Sequence, residues 1–346
     1  MLQHTICKAG ENRVVRLLRT NFGGRSTLLE KGIGDDAAVL RPAGAKEKWV
    51  ITTDMLLEDV DFRRGWQTPE QLGWRALAVN LSDLAAMGVR PRFYTVALGV
   101  PKGTGERWIE AFYRGLVSIG APQKAALIGG DLSSSPSGIH ITITAVGESY
   151  RRRVVYRSGG RSGDALYVTG VLGKAAAGLR LLEQGRKRGR TDAERQALEW
   201  HRNPMPRCAA GFWLAQSGFA ESMMDLSDGL SMDLPRLCDA SGAGAEICIS
   251  QLPAFPGSAA WGCDPASLAL HGGEDFELLF SVRARKARQF EAAYPHNLPP
   301  ASRIGRLTSK RGGVVCMREP GERARPLAER GFDHFVKPQM NGERRG

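Results

Sequence analysis

The chain reads as an α/β protein of two domains, and three features predict it. Its 346 residues are more than one hydrophobic core usually takes. Short β-branched runs alternate with stretches of helical apolar period along most of its length. A basic, glycine-rich stretch at 151–163, RRRVVYRSGGRSG, separates two such sets. The first domain is expected over residues 1–148 and the second over 149–340, with a polar tail at 341–346.

Taken in order, Val14, Val15, Leu17 and Leu18 predict a helix over 11–20. WVITT at 49–53 reads as a buried strand, with Asp54 placed where that strand leaves the sheet. Thr68 can cap the next helix, with Pro69 at its first position, Gln71 three residues after the cap, and Gly88 as its end. Within that helix Asp83 lies among Val79, Leu81, Leu84 and Met87, so its carboxylate needs a partner: Arg75, Arg90, a capping role or a metal ion. A strand is expected at 93–99, a turn at 101–105 and a helix at 106–119. AALIGGD at 125–131 repeats the arrangement of apolar strand followed by Asp, and IHITITAV at 139–146 alternates as a half-buried strand. The strands before residue 150 leave a sheet face without evident helical cover, which invites association.

In the second half ALYVTG enters a glycine-opened helix whose first turn could hold an anion. Residues 191–217 should be helical with a break at 203–206, and 232–241 helical again. SMMDLSDG places Asp225 and Asp228 around Ser227. LALHGGEDFELLF at 268–280 sets Glu274 and Asp275 between two apolar runs, the second a strand. A short strand into IGRL and the closing GFDHF complete the chain.

The segment 32–61 carries Asp35, Asp36, Asp54, Asp59 and Asp61 in an otherwise basic protein. Carboxylates gathered at low dielectric repel by several kcal/mol unless cations neutralise them, and hard oxygen donors at this density suggest Mg²⁺. A solvated acidic loop is the alternative for GIGDD alone; the strand context and the repeats of the pattern downstream favour metal.

Composition narrows the function. Lys plus Arg number 48 against 36 Asp plus Glu, a net charge of +12, but the excess is dispersed and does not interleave with aromatic residues, which argues against nucleic-acid binding. The six cysteines form no CxxC pair, arguing against a zinc site or a disulfide framework. No segment approaches a membrane span and the amino terminus lacks a signal-peptide core, so a soluble cytoplasmic protein is expected. No GxxxxGK[ST] P-loop occurs.

GIGDDAAVL, TTDMLLEDVDF, ALAVNLSDLAAMG, LIGGD, MMDLSDGL, HGGEDFELLF and GFDHF together resemble the thiamine-monophosphate kinases of the aminoimidazole ribonucleotide synthetase-like superfamily, over nearly the whole chain. The resemblance implies a two-domain α/β fold of that superfamily and a homodimer in which the N-terminal sheets pair into a barrel. It implies ATP-dependent phosphorylation of thiamine phosphate, with Mg²⁺ as cofactor and ATP as co-substrate. Asp36, Thr52, Thr53, Asp54, Asp83, Asp131, Asp225 and Asp228 match metal-binding positions. Tyr113, Gly130, Asp131, Arg157 and Ser227 match ATP contacts, and Asp54, Asp131 and Arg157 are the residues implied closest to the chemistry. Glu274 and Phe332 match the thiamine phosphate pocket. Asp61 stands where the family usually has histidine, and is expected to face the thiazolium cation. A phosphate monoester with a second pKa of about 6 is already mostly a dianion at neutral pH, so direct transfer needs no general base. Selenophosphate synthetase, aminoimidazole ribonucleotide synthetase and a non-catalytic nucleic-acid-binding protein are the competing readings.

Overall fold

A computed structural model describes residues 11–22, 26–317 and 319–334. The first sheet has six strands in the order Leu29–Lys31, Ala38–Leu40, Trp49–Leu57, His140–Glu148, Arg90–Pro101, Ala126–Ser135. All neighbours are antiparallel except the last pair. Strict alternation sends Val50, Leu56, Ile141, Ile143, Val96 and Leu98 to one face, where they are buried. The helices Pro69–Ala86 and Glu106–Gly120 cover that face, crossing at glycines. A Cβ on Gly73 would stand 1.9 Å from the Phe112 carbonyl oxygen, and one on Gly115 1.9 Å from that of Glu70. Among the described residues no helix covers the opposite face of the sheet, and Trp49, Met55, Ile128 and Leu132 are exposed on this sheet.

The second sheet has seven strands, ordered Arg325–Pro326, Val314–Met317, Ala243–Cys248, Ala301–Ser309, Ala165–Thr169, Leu278–Val282, Ala220–Asp225. Helix Cys208–Ser217 packs on helix Pro69–Ala86 so closely that a Cβ on Gly211 would meet the Ala85 carbonyl oxygen at 2.0 Å. One apolar core therefore runs from Val50 and Leu84 through to Tyr167, Met223 and Phe280, tying the two sheets together.

Most expected elements form. Thr68 and Gln71 make a full capping box, with the Gln71 N–H donating to Thr68 Oγ1 at 3.2 Å and the Thr68 N–H to Gln71 Oε1 at 2.9 Å. Residues 191–217 are the helices Asp192–Arg202 and Cys208–Ser217, broken as expected. Three placements differ. Asp54 is not at the strand's exit, because pairing with His140–Glu148 continues to Leu57. Asp131 likewise lies inside its strand, which runs on to Ser135. Residues 268–271, read as an apolar run, finish the helix Pro265–His271. The anion at the start of helix Lys174–Glu183 is the chain's own Asp275, whose carboxylate accepts the Gly173 N–H at 2.5 Å and the Ala175 N–H at 3.1 Å. Among the described residues no helix is long and apolar enough to cross a membrane.

Candidate active site

Three carboxylates meet beside helix Pro69–Ala86, which packs against strands of both sheets. Asp36 comes from the turn before Ala38–Leu40, Asp83 from the last turn of helix Pro69–Ala86, and Asp225 from the end of strand Ala220–Asp225. One oxygen from each lies within 4.8 Å of the other two. Asp36 and Asp225 are only 7% and 3% exposed. Neighbouring hydroxyls orient the set: Thr52 Oγ1 donates to Asp83 Oδ2, and Ser82 Oγ donates to Asp225 Oδ2 at 2.6 Å. Asp54 joins Thr52 on the helix-facing side of its strand, as the alternation requires.

Arg157 is the counter-ion. Its Nε–H and Nη2–H donate to Asp36 Oδ1 at 3.1 and 2.6 Å, and its backbone N–H donates to Asp35 Oδ1 at 3.1 Å. One cation against three carboxylates leaves a deficit, and the acidities show it. Burial, then the neighbouring Asp54, Asp225 and Asp36, lifts the Asp83 carboxyl well above its ordinary range. Burial and Asp36 do the same to Asp225. Burial, then Asp61, pushes Asp54 up to about 6. At 4.8 Å and an effective dielectric of 20, each ionised pair costs about 3.5 kcal/mol. Asp36 Oδ2 is buried with no hydrogen-bond partner among the described residues. A hard-oxygen cradle with an orphaned acceptor fits Mg²⁺.

The second part of the site lies beside this cluster. Glu274, at φ +67, donates its N–H to the Ser227 carbonyl oxygen at 2.7 Å, so the loop carrying Asp228 and the loop carrying Glu274 are stitched together. The Phe332 N–H donates to the Asp228 carbonyl oxygen at 3.1 Å, laying residues 331–334 over the same loop. The Phe332 ring is 45% exposed and meets His334 edge-on at 4.7 Å. Asp61 Oδ2 accepts the Leu57 N–H at 2.7 Å, and its other oxygen is 3.9 Å from His334 Nδ1.

Some residues implied by the resemblance stand apart from the cluster within one chain. Thr53 points to the uncovered face, where its hydroxyl meets that of Thr144 at 2.8 Å. Asp131 is on the same face: it registers with Ala97, Ala97 with Thr142 and Thr142 with Met55. Three strand spacings put it about 14 Å from Met55. Gly130 shares that edge strand at φ +158, and a Cβ there would stand 2.0 Å from the Val96 carbonyl oxygen. Tyr113 lies beside Tyr94, two strands from Thr52. The Asp228 carboxylate pairs with Arg236, which also bridges to Asp233 at 2.8 Å. Asp83 pairs with neither suggested arginine: Arg75 binds Glu274, and Arg90 stacks on Tyr150 and Phe212 at 4.6 and 4.4 Å. Ser82 and Arg236 were missed by sequence reasoning, and Arg75 was considered only as a partner for Asp83. Only Arg75 carried a signal, a charge inside the apolar run LGWRALAV.

The matches to known proteins cover both halves of the site. Residues 34–149 match the family model of the AIR synthase related protein N-terminal domain, and 161–317 that of the C-terminal domain. Thiamine-monophosphate kinase of Bacillus subtilis (strain 168) is 32% identical over 308 residues, 89% of this chain and 94% of that one. The Escherichia coli (strain K12) kinase is 36% identical over 319 residues, 90% and 93% of the two chains. This chain belongs to the thiamine-monophosphate kinases. A solved structure described as AaThiL complexed with AMPPCP and TMP is 30% identical with a TM-score of 0.82, covering 97% of this chain and all of that one. The thiamine-monophosphate kinase of Stenotrophomonas maltophilia K279a is 36% identical with a TM-score of 0.72, covering 88% and 95%. Hydrogenase maturation protein HypE, at 20% identity and a TM-score of 0.66, shares the fold. The competing synthetase and nucleic-acid readings give way, and the chain is a phosphotransferase with the two-domain fold of this kinase family.

Proposed function

We infer that the chain transfers the γ-phosphoryl group of ATP to the phosphate of thiamine phosphate, giving thiamine diphosphate and ADP. The observation that carries this is the convergence of Asp36, Asp83 and Asp225 within 4.8 Å, faced by Arg157. An oxygen of the acceptor phosphate attacks the γ-phosphorus as the bond to the β-phosphate oxygen breaks, and ADP leaves with that electron pair. Two polyanions must approach in line, so the protein's task is positioning and charge neutralisation.

Asp36, Asp83 and Asp225, with Asp54 alongside, would hold Mg²⁺, whose charge would offset that of the phosphates. Thr52 and Ser82 fix which carboxylate lone pairs face the cleft. Arg157, anchored by Asp36 and 21% exposed, offers its remaining N–H groups to phosphate oxygens. Glu274, Asp61 and Phe332 supply negative charge and an aromatic face suited to the cationic thiazolium. No phosphoenzyme is formed.

The exposed edge strand Ala126–Ser135 and the uncovered face bearing Trp49 and Met55 support a homodimer built by sheet pairing. Asp131 and Thr53, turned away from their own chain's cluster, would then act across that interface. Use of ATP supports a cytoplasmic location. The deciding assay is thiamine diphosphate formation from ATP, Mg²⁺ and thiamine phosphate, with free thiamine as control acceptor. Turnover confined to thiamine phosphate is expected, and equal turnover of free thiamine would sink the assignment.

A further inference from the structure

Arg75 is 1% exposed and yet charged, in the middle of helix Pro69–Ala86. A guanidinium survives such burial only when its fork is matched by acceptors. Here the match comes from three separate elements. Nη1–H donates to the His201 carbonyl oxygen at 2.7 Å and lies 3.4 Å from His201 Nε2. Nη2–H donates to the Asp61 carbonyl oxygen at 3.0 Å and to Glu274 Oε1. His201, 5% exposed, is held neutral by burial and by Arg75, its pKa well below the usual histidine value. Because Nε2 faces an arginine donor, the proton belongs on Nδ1. That Nδ1 has no hydrogen-bond partner among the described residues and lies 3.4 Å from Glu274 Oε2. Arg75 thus donates to Glu274 Oε1, and the neutral His201 ring stands against Oε2. Glu274 is the exposed member of the trio, its side chain 33% accessible against 1% and 5% for the other two. Its backbone is held at φ +67, a strained conformation for a side-chain-bearing residue.

We propose that Arg75 and His201 are positioning residues of the acceptor pocket, Arg75 by its bond to Glu274 and His201 by packing against the other Glu274 oxygen, so that the outer edge of the carboxylate meets the cationic ring of the acceptor. This rests on the reading of Glu274 as part of the thiamine phosphate site. Arg75 belongs to the first domain and His201 and Glu274 to the second, so the arrangement exists only when both domains are docked. The pocket for the acceptor's ring is thus assembled by domain contact rather than carried by either domain alone. Arg75 and His201 reach neither substrate themselves. Their loss should change how the acceptor binds and leave the nucleotide untouched.

The test measures both Michaelis constants for Arg75→Met, Arg75→Lys and His201→Phe, after circular dichroism and thermal melts establish that each is folded. Expected are a rise of tenfold or more in KM for thiamine phosphate in Arg75→Met, a smaller rise in His201→Phe, and partial recovery in Arg75→Lys. The KM for ATP should stay within twofold throughout. A folded variant whose only defect is a lower kcat, with both KM values unchanged, overturns the proposal, because a purely structural role predicts that pattern. If Arg75→Met fails to fold, the other two variants decide by the same criterion. If the wild-type protein does not phosphorylate thiamine phosphate, the functional reading falls separately. A crystal structure of Arg75→Lys then judges positioning: a displaced Glu274 carboxylate supports it, and an unmoved one refutes it.

Discussion

Asp54→Asn should stabilise the chelated protein while removing its activity, and the size of the gain follows from the carboxylate's environment. Burial and Asp61 push the Asp54 carboxyl from an ordinary 3.8 up to about 6. The folded state thus binds this proton more tightly than the unfolded chain does. Below pH 3.8 the group is protonated in both states and has no effect; between 3.8 and 6 a penalty grows, and above 6 it is complete. At about 1.4 kcal/mol per tenfold change in proton affinity, the full penalty at pH 7 is about 3 kcal/mol. Asp54 is partly accessible, so solvent screening brings this to about 1.5–3 kcal/mol. Asparagine has the same shape and no charge, and should raise Tm by about 2–4 °C at pH 7 in chelator. At pH 4 the two proteins should melt together. The assay is scanning calorimetry across that pH range, paired with turnover in Mg²⁺, which should fall by orders of magnitude. A variant no more stable at pH 7 than at pH 4 relative to wild type would refute the electrostatic account, and near-normal turnover would remove Asp54 from the site.

Phe332→Ala should raise the KM for thiamine phosphate and spare that for ATP; steady-state kinetics check this, and a change confined to ATP contradicts the role. Asp131→Asn and Asp54→Asn should each be nearly inactive alone. Mixed and refolded together, they should recover about a quarter of wild-type activity if Asp131 serves the partner's cluster, since half the dimers are hybrid and each has one intact site. No recovery in dimers shown by mass spectrometry to be mixed argues for action within one chain. Glu277 is fully buried, pairs with Arg207 and accepts the Thr169 hydroxyl at 2.6 Å. Glu277→Gln leaves the Arg207 charge without its counter-ion and should cost about 3–5 kcal/mol in denaturant unfolding.

Much of this protein was legible in its sequence, and the reason is local physics. The Thr68 cap, the alternation of 139–146 and the break at 203–206 depend on neighbours a few positions apart, so they can be read one window at a time. The acidic motifs could be recognised as a set, and with them the kinase family. Charge patterning also marked Asp83 as a carboxylate that needed compensation.

Tertiary structure alone decided which acids meet. Alternation separates Thr52 and Asp54 from Thr53, but only the helix packed on one face determines which set enters the site. Asp131 looked equivalent to Asp54 until the strand order set it across the sheet on the uncovered face. Arg75 and Glu274, 199 positions apart, leave no local trace of their pairing, because it exists only through the docking of the two domains. Periodicity fixes the direction of a side chain within its own element. The partner it finds is set by how the elements pack.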